Sequence, residues 1–186
     1  MIFEKHQSDS LLESINSGMD QAANILSQML ESPIELVAPS LFLDQSENLE
    51  SPFSKLLNQP LALVSIVFRG GAEGKAVFFL TLEGAQQLSI ALAEEEGQIP
   101  CQDEREEVLT EIGNITINNV MGIVANIHKQ HLIYEAPIYS ESKNLVTYLE
   151  KSQDEIEQSI YIRSQLSIPE HKIEGGLLVT LLELKS

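Results

Sequence analysis

Glu13 and Asn16 stand three residues apart, and Pro39 follows Asn16 with 22 residues between them. Glu111, Asn114 and Pro137 repeat the set at one constant shift (111 − 13 = 114 − 16 = 137 − 39 = 98). Both copies read E-x2-N-x22-P, and Leu11/Leu109, Ile25/Ile123 and Ala38/Ala136 match at the same shift. A duplicated core has no need of a duplicated acid and amide, whereas a duplicated functional site does. On a helix, residues three or four apart share a face, so Asp9, Glu13 and Asn16 form one constellation and Glu107, Glu111 and Asn114 the other.

A carboxylate repels phosphate, but a carboxamide is neutral, with an oxygen that accepts and a nitrogen that donates. It can hold a water and aim it. Hydrolysis of a phosphoryl group needs mainly in-line placement of water and stabilisation of charge. The Asn could supply the first without repelling phosphoryl oxygens. The Glu one turn away could anchor a cationic residue of a partner. The charge-stabilising metal and Lys would then come from that partner.

The elements that must hold these residues can be read from periodicity. Leu11, Ile15, Met19, Ala22, Leu26 and Met29 make a buried stripe, which predicts a helix over 10–30 with Ser10-x-x-Glu13 as a capping box. Residues 34–38 read as a strand closed by Pro39. The connection 41–58 has room for a short helix around 53–57. Strands are expected over 61–69 and 75–82, joined by the Gly70-Gly71-Ala72-Glu73-Gly74 turn, and a second helix over 82–95. Gly97, Pro100 and the acid-rich 102–107 mark the boundary between halves. A long helix follows over 104–128, with Asp103-x-x-Glu106 as its cap pair. Then come a strand over 131–139 passing through Pro137, a connection over 140–154, and strands over 156–168 and 175–184.

The second half retraces the first, with about three extra residues needed in the 169–174 loop. The expected fold is α+β: a pseudo-twofold repeat of two helix-strand-strand-strand halves, forming one continuous sheet with two long helices on one face. The chain is read as a single domain over 1–186, with half-repeats over about 9–97 and 103–186. It lacks the strand-helix alternation of a doubly wound parallel sheet.

Composition bounds the function. Apolar residues make up 43% and charged residues 21%, enough to fill a core without a metal or disulfide. Net charge is −17, from 28 acids against 11 bases, a field that repels nucleic acid and anionic lipid and favours a basic or metal-bearing partner. The lone Cys101 cannot pair within the chain, no apolar run reaches the length of a membrane span, and the first residues carry no signal-peptide core. A cytoplasmic protein with neither membrane nor nucleic-acid contact is expected.

The pattern [D/S]-x3-E-x2-N-x22-P resembles the signature of the CheC/CheX/FliY family of chemotaxis phosphatases. Asp9-x3-Glu13-x2-Asn16-x22-Pro39 matches it in full. Glu107-x3-Glu111-x2-Asn114-x22-Pro137 matches except that Glu107 replaces Asp or Ser, and Glu111-Ile112-Gly113-Asn114-Ile115 is similar to the family helix in wording as well as spacing. Two copies in one chain look most like a stand-alone, two-site CheC. The resemblance implies dephosphorylation of the aspartyl-phosphate of a CheY-like response regulator. Asn16 and Asn114 would place the attacking water, and Glu13 and Glu111 would pair with the regulator's active-site Lys. Asp9 and Glu107 would contact the partner or merely solvate the helix start. No cofactor is implied for this chain, because the receiver brings its own Mg2+. A CheD-like receptor-modifying protein is a further partner the resemblance allows.

Other readings stand beside this one. Glu13 could serve only its capping box. Glu111 has no such role, and Asn114 beside Gly113 weakens its helix, Gly by about 1 kcal/mol relative to Ala. That pair suggests close approach of another backbone, while Ile15 fills the Gly position in the first copy, so the second copy is expected to be the better site. His128 and His131, three apart, suit a helix terminus better than a metal pair. The Gly-rich turn joins two strands and is no phosphate loop. A non-catalytic module binding a receiver or another signalling partner remains the alternative. A third reading, a flagellar-switch subunit, has against it that no switch-type domain is appended.

Overall fold

Leu11, Ile15, Met19, Ala22, Leu26 and Leu30 recur every three or four residues and are all buried along one side of helix α1, Lys5–Leu30. The same physics makes α3, Gln102–Ile127, which buries Leu109, Ile112, Ile117, Val120, Met121 and Val124. A computed structural model describes residues 5–42, 56, 58–71, 73–93, 99–127, 131–151 and 159–182. The short helix expected around 53–57, the Gly97 boundary and His128 lie outside them, apart from Leu56, which sits in a turn.

The strands are β1 (Glu35–Phe42), β2 (Leu61–Gly70), β3 (Glu73–Thr81), β4 (Leu132–Tyr134), β5 (Ile138–Ser142), β6 (Ser159–Ile168) and β7 (Ile173–Leu182). Two shorter helices complete the described elements: α2 (Leu82–Ala91) and α4 (Leu145–Lys151), with a 3-10 turn at Pro169–His171. The strands form one antiparallel sheet in the order β1-β6-β7-β3-β2, with β4 and β5 sharing the outer edge of β2. Exchanging each strand for its counterpart in the other half leaves this order unchanged. At its centre β3 pairs with β7, where Val77 faces Leu178.

Because successive side chains alternate across a strand, each inner strand feeds two cores. Ala62, Val64, Ile66 and Phe68 of β2, with Ala76, Phe78 and Leu80 of β3, pack in one cluster with the stripes of α1 and α3. Leu61, Leu63, Val77, Phe79 and Leu178 pack on the other face with Leu56, Leu145 and Tyr148. Burial on both sides explains why β2 and β3 read as continuous apolar runs. By length and composition, residues Gln102–Asn126 of α3 could cross a membrane (mean hydropathy 1.2), but the apolar side that would do so is the one buried in this core.

Local geometry corrects three sequence expectations. Ser10 does not cap α1, since the helix already runs from Lys5, and the Ser14 hydroxyl donates to the Ser10 carbonyl at 2.6 Å inside it. The start of α3 is capped two residues earlier than expected: Cys101 N–H donates to the Glu104 carboxylate at 2.8 Å, which leaves Asp103 and Glu106 free of that duty. Pro39 does not close its strand. In β1 the pairing shifts by one residue between Val37↔Gln165 and Ser40↔Arg163, so Ala38-Pro39 is a β-bulge with strand continuing beyond it. Moved by the same 98 residues, Ser40↔Arg163 becomes Ile138↔Ser65, which is an observed pair. Val37↔Gln165 likewise becomes Glu135↔Val67, joined by a Glu135 N–H to Val67 carbonyl bond of 2.9 Å. Ala136-Pro137 is therefore the matching bulge, and it splits the single strand expected over 131–139 into β4 and β5. Proline, with no N–H to place, suits a bulge.

Two glycines hold the layers close. A Cβ on Gly18 would lie 2.5 Å from the Val120 backbone Cα, at the crossing of α1 and α3. One on Gly113 would lie 2.5 Å from Val64 Cβ on the sheet beneath. The approach inferred from Gly113 is thus real, although it is met by a side chain and not by another backbone. In an open helix Gly→Ala stabilises by about 1 kcal/mol. Here the sign reverses: Gly18→Ala and Gly113→Ala are each expected to destabilise by about 1–3 kcal/mol, Gly18→Ala more, because backbone must move. Urea midpoints of the two variants check this, and an unchanged or raised midpoint for Gly18→Ala would contradict the close crossing.

Candidate functional site

The inward stripe of α3 fixes what its outer side displays. With Leu109, Ile112, Gly113 and Thr116 buried, Glu107 and Glu111 are exposed and Asn114 is half-buried at the edge of the helix. The bulge brings Pro137 to them. Asp103, Glu106, Glu107, Thr110, Glu111, Asn114 and Pro137 line one open groove of about 570 Å³ between α3 and the β4–β5 edge. The structure thus unites all four members of the second sequence constellation: Glu107, Glu111, Asn114 and the proline. Pro137 does more than shape the strand, since it forms one wall. Next to it Ile138 is 60% exposed, but its pairing with Ser65 turns it to the sheet face away from α3.

Other contacts hold the groove's walls. The Tyr139 hydroxyl donates to Glu141 at 2.7 Å, and the Arg105 guanidinium lies 3.8 Å from the same carboxylate. These contacts tie β5 to the start of α3. Burial, then the hydrogen bond to Glu141, pushes the Tyr139 phenol well above its ordinary range. The Thr110 hydroxyl proton is spent on the Glu106 carbonyl at 2.7 Å, leaving its oxygen as an acceptor only. The groove therefore offers carboxylates, one hydroxyl oxygen and a single neutral amide. Asn114 itself accepts at Oδ1 from Asn118 Nδ2 at 2.8 Å.

The first constellation is displayed on α1. Asp9, Glu13 and Asn16 are all exposed while Ser14 and Ile15 are buried. Loss of the expected cap at Ser10 removes the structural explanation for Glu13. Pro39 occupies the equivalent bulge of β1. Ile15, which fills the Gly113 position in this copy, points into the core at 1% exposure.

Sequence reasoning missed Asp103, Glu106 and Thr110 as groove residues, and Asn118 as the partner of Asn114. For Asp103, Thr110 and Asn118 the signal was present as spacing of three, four or seven from Glu107, Glu111 or Asn114; Glu106 has no such spacing. Among the described residues no three His, Cys, Asp or Glu side chains converge as metal ligands. The stretch joining β2 and β3 is a hairpin, with Phe68 paired to Gly74, as expected of a turn.

Glu111 and Asn114 support no core contact that a substitution would leave open. Glu111→Gln and Asn114→Ala are accordingly expected to change stability by no more than about 0.5 kcal/mol. Chemical denaturation measures this; a loss of several kcal/mol for either would mark it as a structural residue.

No protein-family model matches the chain, and no curated protein matches it. Solved structures do. Thermotoga maritima FliY is 15% identical over 98% of this chain and 93% of its own, with a TM-score of 0.65. A chain of the FliG–FliM complex from H. pylori is 12% identical over 97% of this chain and 94% of its own, TM-score 0.64. A chain of the CheX–CheY–BeF3–Mg2+ complex from Borrelia burgdorferi is 21% identical over 92% of this chain and 97% of its own, TM-score 0.55. At such low identity what is shared is the architecture: this chain has the α+β fold of the CheC/CheX/FliY proteins.

Proposed function

We propose that this protein is a phosphatase that hydrolyses the aspartyl-phosphate of a CheY-like receiver domain, ending a signal in chemotaxis or a related two-component pathway in the cytoplasm. The observation that carries the reading is the convergence of Glu111, Asn114 and Pro137 on one open groove. A free phosphorylated metabolite would be repelled there by Asp103, Glu106, Glu107 and Glu111. A protein that presents its phosphoryl group among cations would be drawn in, and Glu111 would pair with a cationic side chain beside that group. Glu107 and Pro137 extend the contact.

In the reaction a water oxygen attacks phosphorus in line with the aspartyl oxygen. The new P–O bond forms as the old one breaks, the aspartate carboxylate leaves with the electron pair, and both water protons stay with the phosphate. Asn114 holds the water by its amide, bearing no charge that would repel the phosphoryl oxygens. Glu13 and Asn16 would offer the same pair on α1. The receiver's own Mg2+ would neutralise charge on those oxygens.

A second reading rests on one of the structural neighbours. The fold also occurs in a chain of a FliG–FliM complex, so a non-catalytic module binding a receiver, or another partner such as a CheD-like protein, would suit the same surface.

Decay of phosphate on a receiver loaded with acetyl phosphate and Mg2+ separates the two. The expected result is accelerated decay, with Asn16→Ala/Asn114→Ala reducing the acceleration by about 10²–10³-fold. Decay as fast with the double variant as with wild type would refute the water-placing role. Tight receiver binding with an unchanged phosphate lifetime would establish the second reading instead.

A further inference from the structure

We infer that Asn118 is a positioning residue that fixes the carboxamide of Asn114, and that the two copies of the site are chemically unequal because Asp20 stands where Asn118 would be in the first. The inference deepens the phosphatase reading and rests on it. An amide side chain has two nearly isosteric settings, one presenting oxygen and one presenting nitrogen. Asn118 Nδ2 donates to Asn114 Oδ1 at 2.8 Å, the setting that an acceptor-only residue at 118 could not support. Asn118 lies one turn beyond Asn114 toward the C-terminus of α3. The groove lies on the other side of Asn114, toward Glu111 and Glu107. With its oxygen held toward Asn118, the Asn114 amide turns its NH2 to the groove.

That setting suits the chemistry. A water can accept from the NH2 through one lone pair and attack phosphorus through the other, while its protons face the groove's oxygens. Donation to Oδ1 also draws electron density from the amide nitrogen and strengthens it as a donor. Nothing else lining the groove supplies a neutral donor, because Thr110 has spent its proton.

Position 118 less the repeat of 98 is position 20, and Asp20 is an exposed carboxylate one turn beyond Asn16 on α1. A carboxylate only accepts. It would draw the Asn16 NH2 toward itself and leave the oxygen for an incoming water. It also sets a negative charge one turn from where a phosphoryl group would lie. The second copy is therefore the hydrolytic site, and the first serves chiefly to dock.

The test uses the full chain. Side-chain amide NMR of Asn118→Asp reads the orientation directly: the Asn114 NH2 signal should acquire the downfield shift and slowed exchange of a bonded donor. Against a receiver loaded with acetyl phosphate and Mg2+, Asn118→Asp should lower kcat about tenfold, with KM nearly unchanged. Asn118→Gln, which keeps a donor, should recover part of the loss. Adding Asp20→Asn to Asn114→Ala should raise the residual rate about tenfold by correcting the first copy. An unmoved Asn114 amide signal in Asn118→Asp overturns the positioning role, as does an undiminished kcat. No gain from Asp20→Asn overturns the account of the first copy. If wild type accelerates no decay, the phosphatase reading falls, and the NMR result alone decides whether Asn118 orients Asn114.

Discussion

The antiparallel pairing of β3 with β7 joins the halves, and the remaining architecture depends on it. It places two apolar strands back to back at the middle of the sheet, Val77 against Leu178. Each half then lends its outer strand to the other. β1 pairs with β6, while β4 and β5 pair with β2. Neither half can complete its sheet alone, since each would leave a row of unpaired N–H and C=O groups on an inner strand. The duplicated sequence therefore folds as one interlocked unit, and α1 and α3 meet over it at the spacing Gly18 permits.

The same arrangement explains why 22 residues separate the amide from the proline. From Asn114 to the end of α3 at Ile127 the chain climbs about 20 Å at 1.5 Å per residue. From Leu132 back to Pro137 it returns about 17 Å at 3.3 Å per residue. The two lengths nearly cancel, so the proline arrives beside the amide. A residue gained or lost between them would move the bulge off the groove and turn alternate strand side chains to the wrong face. The spacing is set by geometry, and the proline's place at the bulge completes it.

Much of this was legible in the residues. The stripes of α1 and α3, the apolar runs of β2 and β3, and the outward Glu111 and Asn114 follow from periodicity, which depends on the chain's own repeat and on no partner; the exception is Met29, which is 42% exposed while Leu30 ends the α1 stripe. What periodicity could not supply was register. Pro39 looks like a strand terminator, and Pro137 like a residue inside one strand, until pairing with the neighbouring strand shows one residue too many on their own side. Ser10 looks like a cap because Ser-x-x-Glu is locally sufficient, but the helix had already begun at Lys5. α4, Leu145–Lys151, went unread as part of a connection, because a helix of two turns offers too short a window for a stripe. The role of Asn118 was hidden for another reason: an i, i+4 amide pair is common, and only the bond direction gives it meaning.

The groove sets carboxylates where a phosphoryl group is proposed to come, and the conflict is resolved by considering what accompanies that group. Four acids within three turns of α3 make the groove hostile to any bare phosphate ester. They make it hospitable to a phosphoryl group already surrounded by cations on a protein surface. Net charge of −17 extends that discrimination over the whole molecule. Once such a partner is seated its cations neutralise the acids, and the remaining requirement is a polar group that can hold water without adding charge. Among the groove's side chains only Asn114 has both donor and acceptor capacity with no charge. On the proposed function, selection and chemistry are thus divided between residue types: the carboxylates would choose what docks, and the amide would act on it.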